Sequence, residues 1–403
     1  MDNFVIEGGR ELKGTVRVSG SKNSALPILC AVILADGPCT FHNIPDLVDI
    51  GTMVEVLSVL GIKASKTQPG TLVMDPTGIS AYEAPYDLVK SMRASVLVLG
   101  PLLAKFKRAK VSLPGGCAIG VRPVDLHLKA LAKMGADIEL SHGYIVASTD
   151  GLKGARIIFE NTTVGGTENI MMAAALAEGT TIIEGAAREP EIPDLAEALN
   201  KMGARIEGAG TGTITIEGVK ALAGCEHTVI PDRIETGTLM VAAPITGSRL
   251  TIAGVRTDHN IAVAEKLSEM GIVITDKAPD IIEVDGQVDL KPMELTTAPF
   301  PGFPTDMQAQ IMALACVAGG ASSITENIFE NRFMHVPELM RMGANLEEKG
   351  RTVIVRGVTR FQGASVMATD LRASACLVLA ALNAMGTTEI RRIYHLDRGY
   401  EGL

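Results

Sequence analysis

Five copies of a glycine-centred pattern divide the chain into repeats of about 70 residues. The pattern is a helix end that runs into a strand, as in KMGADIEL (133–140) and KMGARIEG (201–208). Glycine commonly ends helices because it adopts the left-handed conformation without strain. The spacings of 74, 68, 68 and 72 residues therefore predict a fold in which helices and strands alternate. The glycines of the pattern are Gly61, Gly135, Gly203, Gly271 and Gly343.

A second pattern, an apolar helix followed by a glycine turn and a strand, occurs six times. A helix that is apolar on all sides, such as 171–178, is predicted to be buried inside a domain. Each repeat is interpreted as strand–helix–strand–helix–strand, which predicts a mixed α/β (α+β) fold. We expect six repeats, three per domain, with the apolar helices at the centre. The six stretches are 25–43, 95–115, 171–185, 237–254, 311–327 and 375–393.

The repeats also predict where the chain divides. The first domain is expected to span 22–230, and the second to combine 1–21 with 231–403. The strands FVIEG (4–8) and GTVRVSG (14–20) precede the first repeat and are expected to complete the last one. The spacing places a sixth glycine pattern near 411–417, so the last repeat of this 403-residue chain is expected to be incomplete.

Composition and charge disfavour several classes of protein. The net charge of −9 and the 3% aromatic content argue against nucleic acid and anionic membranes as partners. The longest apolar run, 25–35, is too short to cross a bilayer, and the amino terminus does not resemble a signal peptide. Six cysteines without a CxxC pair and scattered histidines predict no disulfide framework, no metal site and a cytoplasmic location.

Cations stand at several predicted helix starts, in SGSKNS (Lys22), SMRAS (Arg93) and DLRAS (Arg372). NTTVGGTEN (161–169) and FPTDMQAQ (303–310) open two further helices. Helix amino termini carry unpaired N–H groups and a positive dipole end, which suit phosphate or carboxylate. Each cation alone is also compatible with a solvated helix cap. Together the cations favour an anion-binding site formed by Lys22, Arg93, Arg122, Arg372 and Arg398.

Cys117 in PGGCAIGVRP (114–123) has two interpretations. Most free cysteines are small buried apolar residues, and this is the prediction for Cys30, Cys39, Cys316 and Cys376. A glycine-rich loop with a nearby arginine is instead a setting in which a thiol becomes reactive. The local sequence leaves both interpretations open.

Long motifs spread over residues 1–401 resemble those of the UDP-N-acetylglucosamine 1-carboxyvinyltransferase family, which are enolpyruvyl transferases. These motifs include SKN (21–23), APYDLVKSMRAS (84–95), SLPGGCAIGVRPVDLH (112–127), AAREPEIPDLA (186–196), PDRIETGT (231–238), FPTDMQAQ (303–310), ENRFMHVPEL (330–339), ATDLRASA (368–375) and RIYHLDRGYE (392–401).

The resemblance implies a two-domain inside-out α/β barrel with an active site between the domains. It also implies the reaction, in which phosphoenolpyruvate and UDP-N-acetylglucosamine form the enolpyruvyl ether and phosphate at the start of peptidoglycan synthesis. It implies no metal and no other cofactor. The antibiotic fosfomycin is implied as an inhibitor that alkylates Cys117, and a monomer is expected.

The resemblance assigns roles to residues by position. Cys117 would be the general acid, Asp306 would accept the sugar hydroxyl proton, and Lys22 and Arg398 would stabilise the reacting anion. The implied substrate-binding residues are Lys22, Asn23, Arg93, Arg122, Pro123, Val124, Asp125, Leu126, Asn161, Thr162, Thr163, Val164, Asp306, Ile328, Arg332, Asp370 and Arg372.

Two alternatives stay open at this point. One is a related transferase with another hydroxyl acceptor, such as shikimate 3-phosphate, although the PGGCAIGVRPVD loop disfavours it. The other is a catalytically silent relative that binds the nucleotide sugar and regulates a partner.

Overall fold

A computed structural model describes residues 3–89, 92–113 and 124–403 of the chain. Contacts within the described residues divide them into two compact units. The first unit comprises 20–113 and 124–230, and the second unit comprises 3–19 and 231–403. None of the described helices combines the length and the apolar character needed to cross a membrane.

The elements are numbered here in chain order. The strands are β1 (Asn3–Glu7), β2 (Thr15–Arg17), β3 (Cys39–His42), β4 (Lys63–Gln68), β5 (Thr71–Asp75), β6 (Glu83–Ala84), β7 (Arg108–Ser112), β8 (Asp137–Ser141), β9 (Tyr144–Ser148), β10 (Arg156–Ile158), β11 (Thr180–Glu184), β12 (Arg205–Glu207), β13 (Thr213–Glu217), β14 (Glu226–Thr228), β15 (Arg249–Ala253), β16 (Val273–Ala278), β17 (Ile281–Asp285), β18 (Glu294–Thr296), β19 (Ala321–Thr325), β20 (Asn345–Lys349), β21 (Thr352–Arg356), β22 (Ser365–Met367) and β23 (Thr387–Arg391). The α-helices are α1 (Lys22–Ala31), α2 (Val48–Leu60), α3 (Tyr86–Val89), α4 (Leu99–Phe106), α5 (Asp125–Lys133), α6 (Val164–Ala174), α7 (Glu191–Lys201), α8 (Arg233–Ile245), α9 (Ile261–Glu269), α10 (Gln308–Ala315), α11 (Val336–Arg341) and α12 (Ala373–Asn383). Short 3₁₀ helices cover Val32–Leu34, Pro76–Gly78, Arg93–Val98, Thr257–His259, Thr305–Met307 and Ile393–Arg398.

The sheet formed by β10, β11, β13 and β12, in that order, shows how a repeat is built. Its first two strands are parallel, and the hairpin of β12 and β13 adds two antiparallel strands. Ile157, Ile183 and Ile214 stand in register across it and are buried. Alternating β-branched residues thus place one apolar face against the helices.

The predicted strand–helix–strand–helix–strand repeat is one strand short. In each repeat whose glycine pattern the sequence shows, a hairpin follows the amphipathic helix and gives a four-stranded sheet. The second hairpin strand was missed because a tight turn reverses the chain within two residues. Between β8 and β9 that turn is His142 and Gly143, with φ of 51° and 80°, as a type I′ turn requires.

The apolar helices form the centre of each unit, as predicted. In the first unit α1 and α6 are buried along almost their whole length and α4 over its first five residues, and in the second unit α10 packs against α8 and α12. Because aromatic residues are scarce, these centres consist mainly of Ala, Leu, Ile, Val and Met. Complete burial of each Leu or Ile side chain contributes roughly 1.5–3 kcal/mol.

The amphipathic helices α2, α5, α7, α9 and α11 each run into the glycine of the repeat pattern. All five glycines have positive φ, between 89° at Gly343 and 108° at Gly61. At Gly61 the N–H donates to the carbonyl groups of Leu57 and Ser58, which closes α2. The predicted role of the glycine pattern as a helix stop is confirmed.

The two amino-terminal strands go to different sheets. β1 lies antiparallel to β23 in the sheet of the last repeat, which has the order β1, β23, β22, as predicted. The prediction for β2 was wrong, since β2 pairs in parallel with β15 in the sheet that also contains β16 and β17. There β2 takes the position that β10 takes beside β11, because the chain enters the first unit directly after β2. β14, the last strand of the first unit, occupies the corresponding position beside β3.

Candidate active site

Lys22 lies at the start of the first buried helix of the first unit. Ser21 caps α1 by accepting a hydrogen bond from the Ser24 N–H. Lys22 is 5% exposed, and its Nζ lies 3.0 Å from Oδ2 of Asp49, near the start of α2. Asn23 follows on α1 and is half-buried. A buried ammonium group needs an opposite charge, which Asp49 supplies. Nothing in the sequence around Asp49 marks it as this partner.

Two predicted substrate-binding stretches lie side by side in the first unit, because α5 packs against α6. Asp125 begins α5, and Thr163 caps α6 by accepting from the Gly166 N–H. A Cβ at Gly165 would lie 3.3 Å from Cε1 of His127, so glycine allows this close approach. The amino termini of α5 and α6 therefore lie close together, and each presents backbone N–H groups that have no partner within its own helix. Val124, Asp125, Leu126, Asn161, Thr162, Thr163 and Val164 all belong to it.

Buried acidic groups lie farther along α6 and at the start of α7. Glu168 is 4% exposed and Glu191 is 2% exposed. Burial, together with the negative charges of Glu191 and Glu189, raises the pKa of the Glu168 carboxyl well above its usual value. This buried pair of acids was not apparent from the sequence, because Glu168 and Glu191 belong to different helices.

In the second unit Asp306 lies on the 3₁₀ turn that leads into α10. Its Oδ1 accepts a hydrogen bond from Arg332 Nη2 at 2.6 Å, and Arg372 Nε lies 3.9 Å from Oδ2. The Asp306 side chain is 27% exposed, whereas both arginines are buried. Two flanking guanidinium groups favour the ionised carboxylate, which can still be reached from solvent.

Arg372 links several groups of the second unit. Its Nη2 lies 3.4 Å from Oδ2 of Asp232, and its Nη1 donates to the Gly399 carbonyl at 3.2 Å. Burial alone lowers the pKa of Arg372, but Asp232, Tyr400 and Asp306 outweigh it and raise the pKa above its ordinary value. Asp370 Oδ1 accepts from the N–H groups of Arg372 and Ala373, both at 2.9 Å, and so caps the start of α12.

Glu235 is a further buried acid beside this cluster. Ser19 donates to its Oε2 from the backbone at 3.0 Å and from the hydroxyl. Burial raises the pKa of Glu235 to about 7, and the charge of Asp232 adds to this effect. The motif PDRIETGT contained both acids, but only the fold shows that they face Arg372 and Ser19.

Glu326 is a site residue that sequence reasoning missed. It is 1% exposed and accepts hydrogen bonds from the N–H groups of Ile328 and Phe329 and from the Thr305 hydroxyl, at 2.7, 3.1 and 2.8 Å. Glu326 thereby fixes the position of Ile328, a predicted substrate-binding residue, relative to Thr305, the residue before Asp306. An acid directly after a strand gave no separate signal in the sequence.

The remaining predicted residues are placed as follows. Arg93 begins the 3₁₀ helix before α4, and Arg398 ends the last 3₁₀ helix, where it is half-buried. The four cysteines predicted to be buried, Cys30, Cys39, Cys316 and Cys376, are buried. Cys117, Arg122 and Pro123 lie outside the described residues. Within each unit, the described site residues thus combine buried cations with helix amino termini, an arrangement that suits an anionic substrate.

The sequence profile of the EPSP synthase family (3-phosphoshikimate 1-carboxyvinyltransferase) matches residues 6–403. The chain belongs to this family. Among solved structures of the family's fold, the enolpyruvyl transferase NikO of Streptomyces tendae has a TM-score of 0.89 and 28% identity, over 99% of this chain and 94% of NikO. The EPSP synthase of Acinetobacter baumannii, at 19% identity, has a TM-score of 0.75 over 96% and 93%. The predicted mixed α/β fold is confirmed.

The chain is also similar over its full length to relatives named UDP-N-acetylglucosamine 1-carboxyvinyltransferase. The proteins from Geotalea uraniireducens and Trichlorobacter lovleyi are each 58% identical to it, and that from Myxococcus xanthus is 55% identical. Each alignment covers 100% of this chain and 96% of the relative. The resemblance predicted from the motifs is therefore confirmed.

Proposed function

We propose that this chain transfers the enolpyruvyl group of phosphoenolpyruvate to the 3-hydroxyl of UDP-N-acetylglucosamine and releases phosphate. The observation that carries the proposal is the 58% identity, over the full chain, with relatives that bear the name of this activity. The reaction begins peptidoglycan synthesis and takes place in the cytoplasm.

Asp306 is proposed as the base that accepts the proton of the sugar 3-hydroxyl. A base needs to be ionised and within reach of the hydroxyl. The ion pair with Arg332 and the nearby Arg372 support the ionised form, and the partial exposure of the carboxylate supports access. Glu326 supports the position of Asp306 through Thr305.

The cations are proposed to bind phosphoenolpyruvate. Lys22, Arg93, Arg122 and Arg398 would hold its carboxylate and phosphate and stabilise the negative charge that develops during addition. Arg332, Asp370 and Arg372 would keep Asp306 in place. The nucleotide sugar would bind the α5 and α6 amino termini together with Asn23 and Ile328, through the residues Arg122–Leu126 and Asn161–Val164.

Cys117 is proposed as the general acid of the addition step. It would donate a proton to C3 of phosphoenolpyruvate while the sugar oxygen bonds to C2 and Asp306 takes the hydroxyl proton. The tetrahedral phospho-ketal would then lose phosphate and one C3 proton, which restores the double bond. The Cys117 thiolate would take the C3 proton back, and the leaving phosphate would carry away the proton that Asp306 accepted. Fosfomycin would inhibit because the Cys117 thiolate attacks the epoxide of the antibiotic and becomes alkylated.

One assay tests the proposal and its alternatives. Purified protein is incubated with phosphoenolpyruvate and one acceptor, and phosphate release is followed. Release that requires UDP-N-acetylglucosamine is the expected result. Release with shikimate 3-phosphate instead would reassign the acceptor. Binding of the nucleotide sugar without phosphate release in the presence of either acceptor would show a catalytically silent relative and overturn the proposal.

A further inference from the structure

The hydroxyl of Tyr400 joins the carboxyl-terminal segment to two central helices of the second unit. Tyr400 is 4% exposed, and its hydroxyl oxygen lies 2.9 Å from Oγ1 of Thr238 in α8 and 3.1 Å from Nε2 of Gln310 in α10. Both α8 and α10 are buried along almost their whole length. A hydroxyl buried in such a region strongly specifies one position, because leaving its partners unpaired is costly.

The direction of these hydrogen bonds can be assigned. The single hydroxyl proton of Thr238 is donated to the Ile234 carbonyl at 2.8 Å. Thr238 Oγ1 therefore accepts from the Tyr400 hydroxyl, while Gln310 Nε2 donates to both Tyr400 and Thr238, at 3.1 and 3.2 Å. Burial raises the pKa of Tyr400, which keeps the phenol protonated as this network requires.

The same tyrosine contacts the arginine at the centre of the candidate site. The Arg372 guanidinium carbon lies 5.3 Å from the Tyr400 ring centroid, and Arg372 donates to the carbonyl of the preceding Gly399. Stacking on the ring and a hydrogen bond to the adjacent backbone fix the guanidinium plane. Arg372 in turn approaches Asp232 and Asp306. Arg398 lies two residues before Tyr400 on the segment that the hydroxyl anchors.

We propose that Tyr400 is a positioning residue for the transfer reaction, whose anchored hydroxyl determines where Arg398 and Arg372 stand. The inference rests on the proposed roles of Arg398, Arg372 and Asp306. Tyr400 has no direct part in the chemistry. Its contribution is to hold Arg398 where phosphoenolpyruvate binds and Arg372 where it approaches Asp306.

The test compares Tyr400→Phe with Thr238→Val, since each removes one hydroxyl and keeps the side-chain volume. Both variants lose the hydrogen bond between Tyr400 and Thr238, which should lower kcat/KM for phosphoenolpyruvate about tenfold in either variant. The loss should appear mainly in KM for phosphoenolpyruvate, while KM for UDP-N-acetylglucosamine changes less than about twofold. The double variant should lose no more than either single one, because both hydroxyls form one interaction.

Tyr394→Phe is the matched control. Tyr394 lies on the same segment, but its side chain is 51% exposed, so its hydroxyl should be dispensable. A merely structural role of Tyr400 would lower the melting temperature and leave both KM values of the folded fraction unchanged, and that result would overturn the inference. Equal changes in Tyr394→Phe and Tyr400→Phe would overturn it as well.

Arg398→Ala separates this inference from the proposed function. If Arg398→Ala keeps wild-type kinetics, the role of Arg398 in the proposed function is wrong, whatever Tyr400→Phe does. If Arg398→Ala loses activity while Tyr400→Phe and Thr238→Val keep the KM for phosphoenolpyruvate, the proposed function stands and the positioning inference fails.

Discussion

The proposed role of Asp306 as a base can be tested by a single substitution. Asp306→Asn removes the proton acceptor but keeps the hydrogen-bonding shape toward Arg332. We expect phosphate release by the folded protein to fall by about 10²–10⁴-fold, the usual contribution of general base catalysis. The control is Asp280→Asn, because Asp280 is exposed and belongs to the same unit. A similar loss in both variants would contradict the assigned role.

His335 predicts how stability depends on pH. It is fully buried, and both ring nitrogens lack hydrogen-bond partners among the described residues. Burial lowers its pKa to about 4, although Asp370 raises the pKa and Arg332 lowers it further. The unfolded chain has the higher pKa and binds the proton first. The stability contribution of neutral His335 is therefore present above pH 6.5 and is lost as the pH falls toward 4.

The measurement is urea unfolding of wild type and His335→Asn at pH 7 and pH 4.5. The wild type should lose up to about 3 kcal/mol more than His335→Asn over this range. His142→Asn is the control, since His142 is exposed in a turn and asparagine accepts its left-handed conformation. A pH dependence that is unchanged in His335→Asn would show that another group titrates.

Cys117 can be tested with fosfomycin although it lies outside the described residues. Cys117→Asp replaces the thiol with an acid that cannot be alkylated. We expect this variant to keep phosphate release and to lose inhibition by fosfomycin, because aspartate still donates a proton. Cys225→Ser should remain sensitive to fosfomycin, as wild type is expected to be. If Cys117→Asp remained sensitive to fosfomycin, the proposed alkylation of the Cys117 thiol would be wrong.

At the scale of elements, β1 shows how one strand depends on its register. Phe4 and Ile6 face the core of the second unit, whereas Val5 between them is 68% exposed. Ile6→Ala should lower the free energy of unfolding by roughly 1–3 kcal/mol, the lower part of the range for a buried site because Ile6 is only partly buried. Val5→Ala should cost less than about 0.5 kcal/mol. Equal costs, measured by urea unfolding, would indicate a register shifted by one residue.

At the scale of the whole molecule, the path of the chain predicts which fragments fold. The first unit includes β14, and its described residues, 20–113 and 124–230, all lie between the two parts of the second unit in the sequence, so the fragment 20–230 should unfold cooperatively by itself. The fragment 231–403 lacks β1 and β2 and leaves two sheets incomplete. It should fold only when residues 1–19 are supplied, either as a peptide or through a linker after residue 403. Circular dichroism and urea unfolding are the measurements.

Cooperative unfolding of 231–403 alone, with the midpoint of the supplied form, would show that the amino-terminal strands contribute little. A fragment 20–230 that stays unfolded would show that the first unit depends on the second. The physical reason for the expectation is that an edge strand contributes both ladder hydrogen bonds and apolar burial to its sheet.

Much of the fold could be predicted because it depends on local patterns. The helix-ending glycines, the buried apolar helices and the repeat length all follow from backbone freedom and hydrophobic periodicity within short windows. The helix starts at Lys22, Thr163 and Asp306 were also predicted, since capping residues act on their own neighbours. The motifs predicted the family, which the full-length relatives confirm.

Contacts between distant parts of the chain could not be predicted in the same way. The hairpin strands, the pairing of β2 with β15 and the ion pair of Lys22 with Asp49 depend on which surfaces remain to be covered after the helices pack. Arg332 and Arg372 approach Asp306 from 26 and 66 positions along the chain. Local sequence thus determined the elements and where cations stand at helix starts. Tertiary structure decided their partners, because buried charges need partners wherever in the sequence they occur.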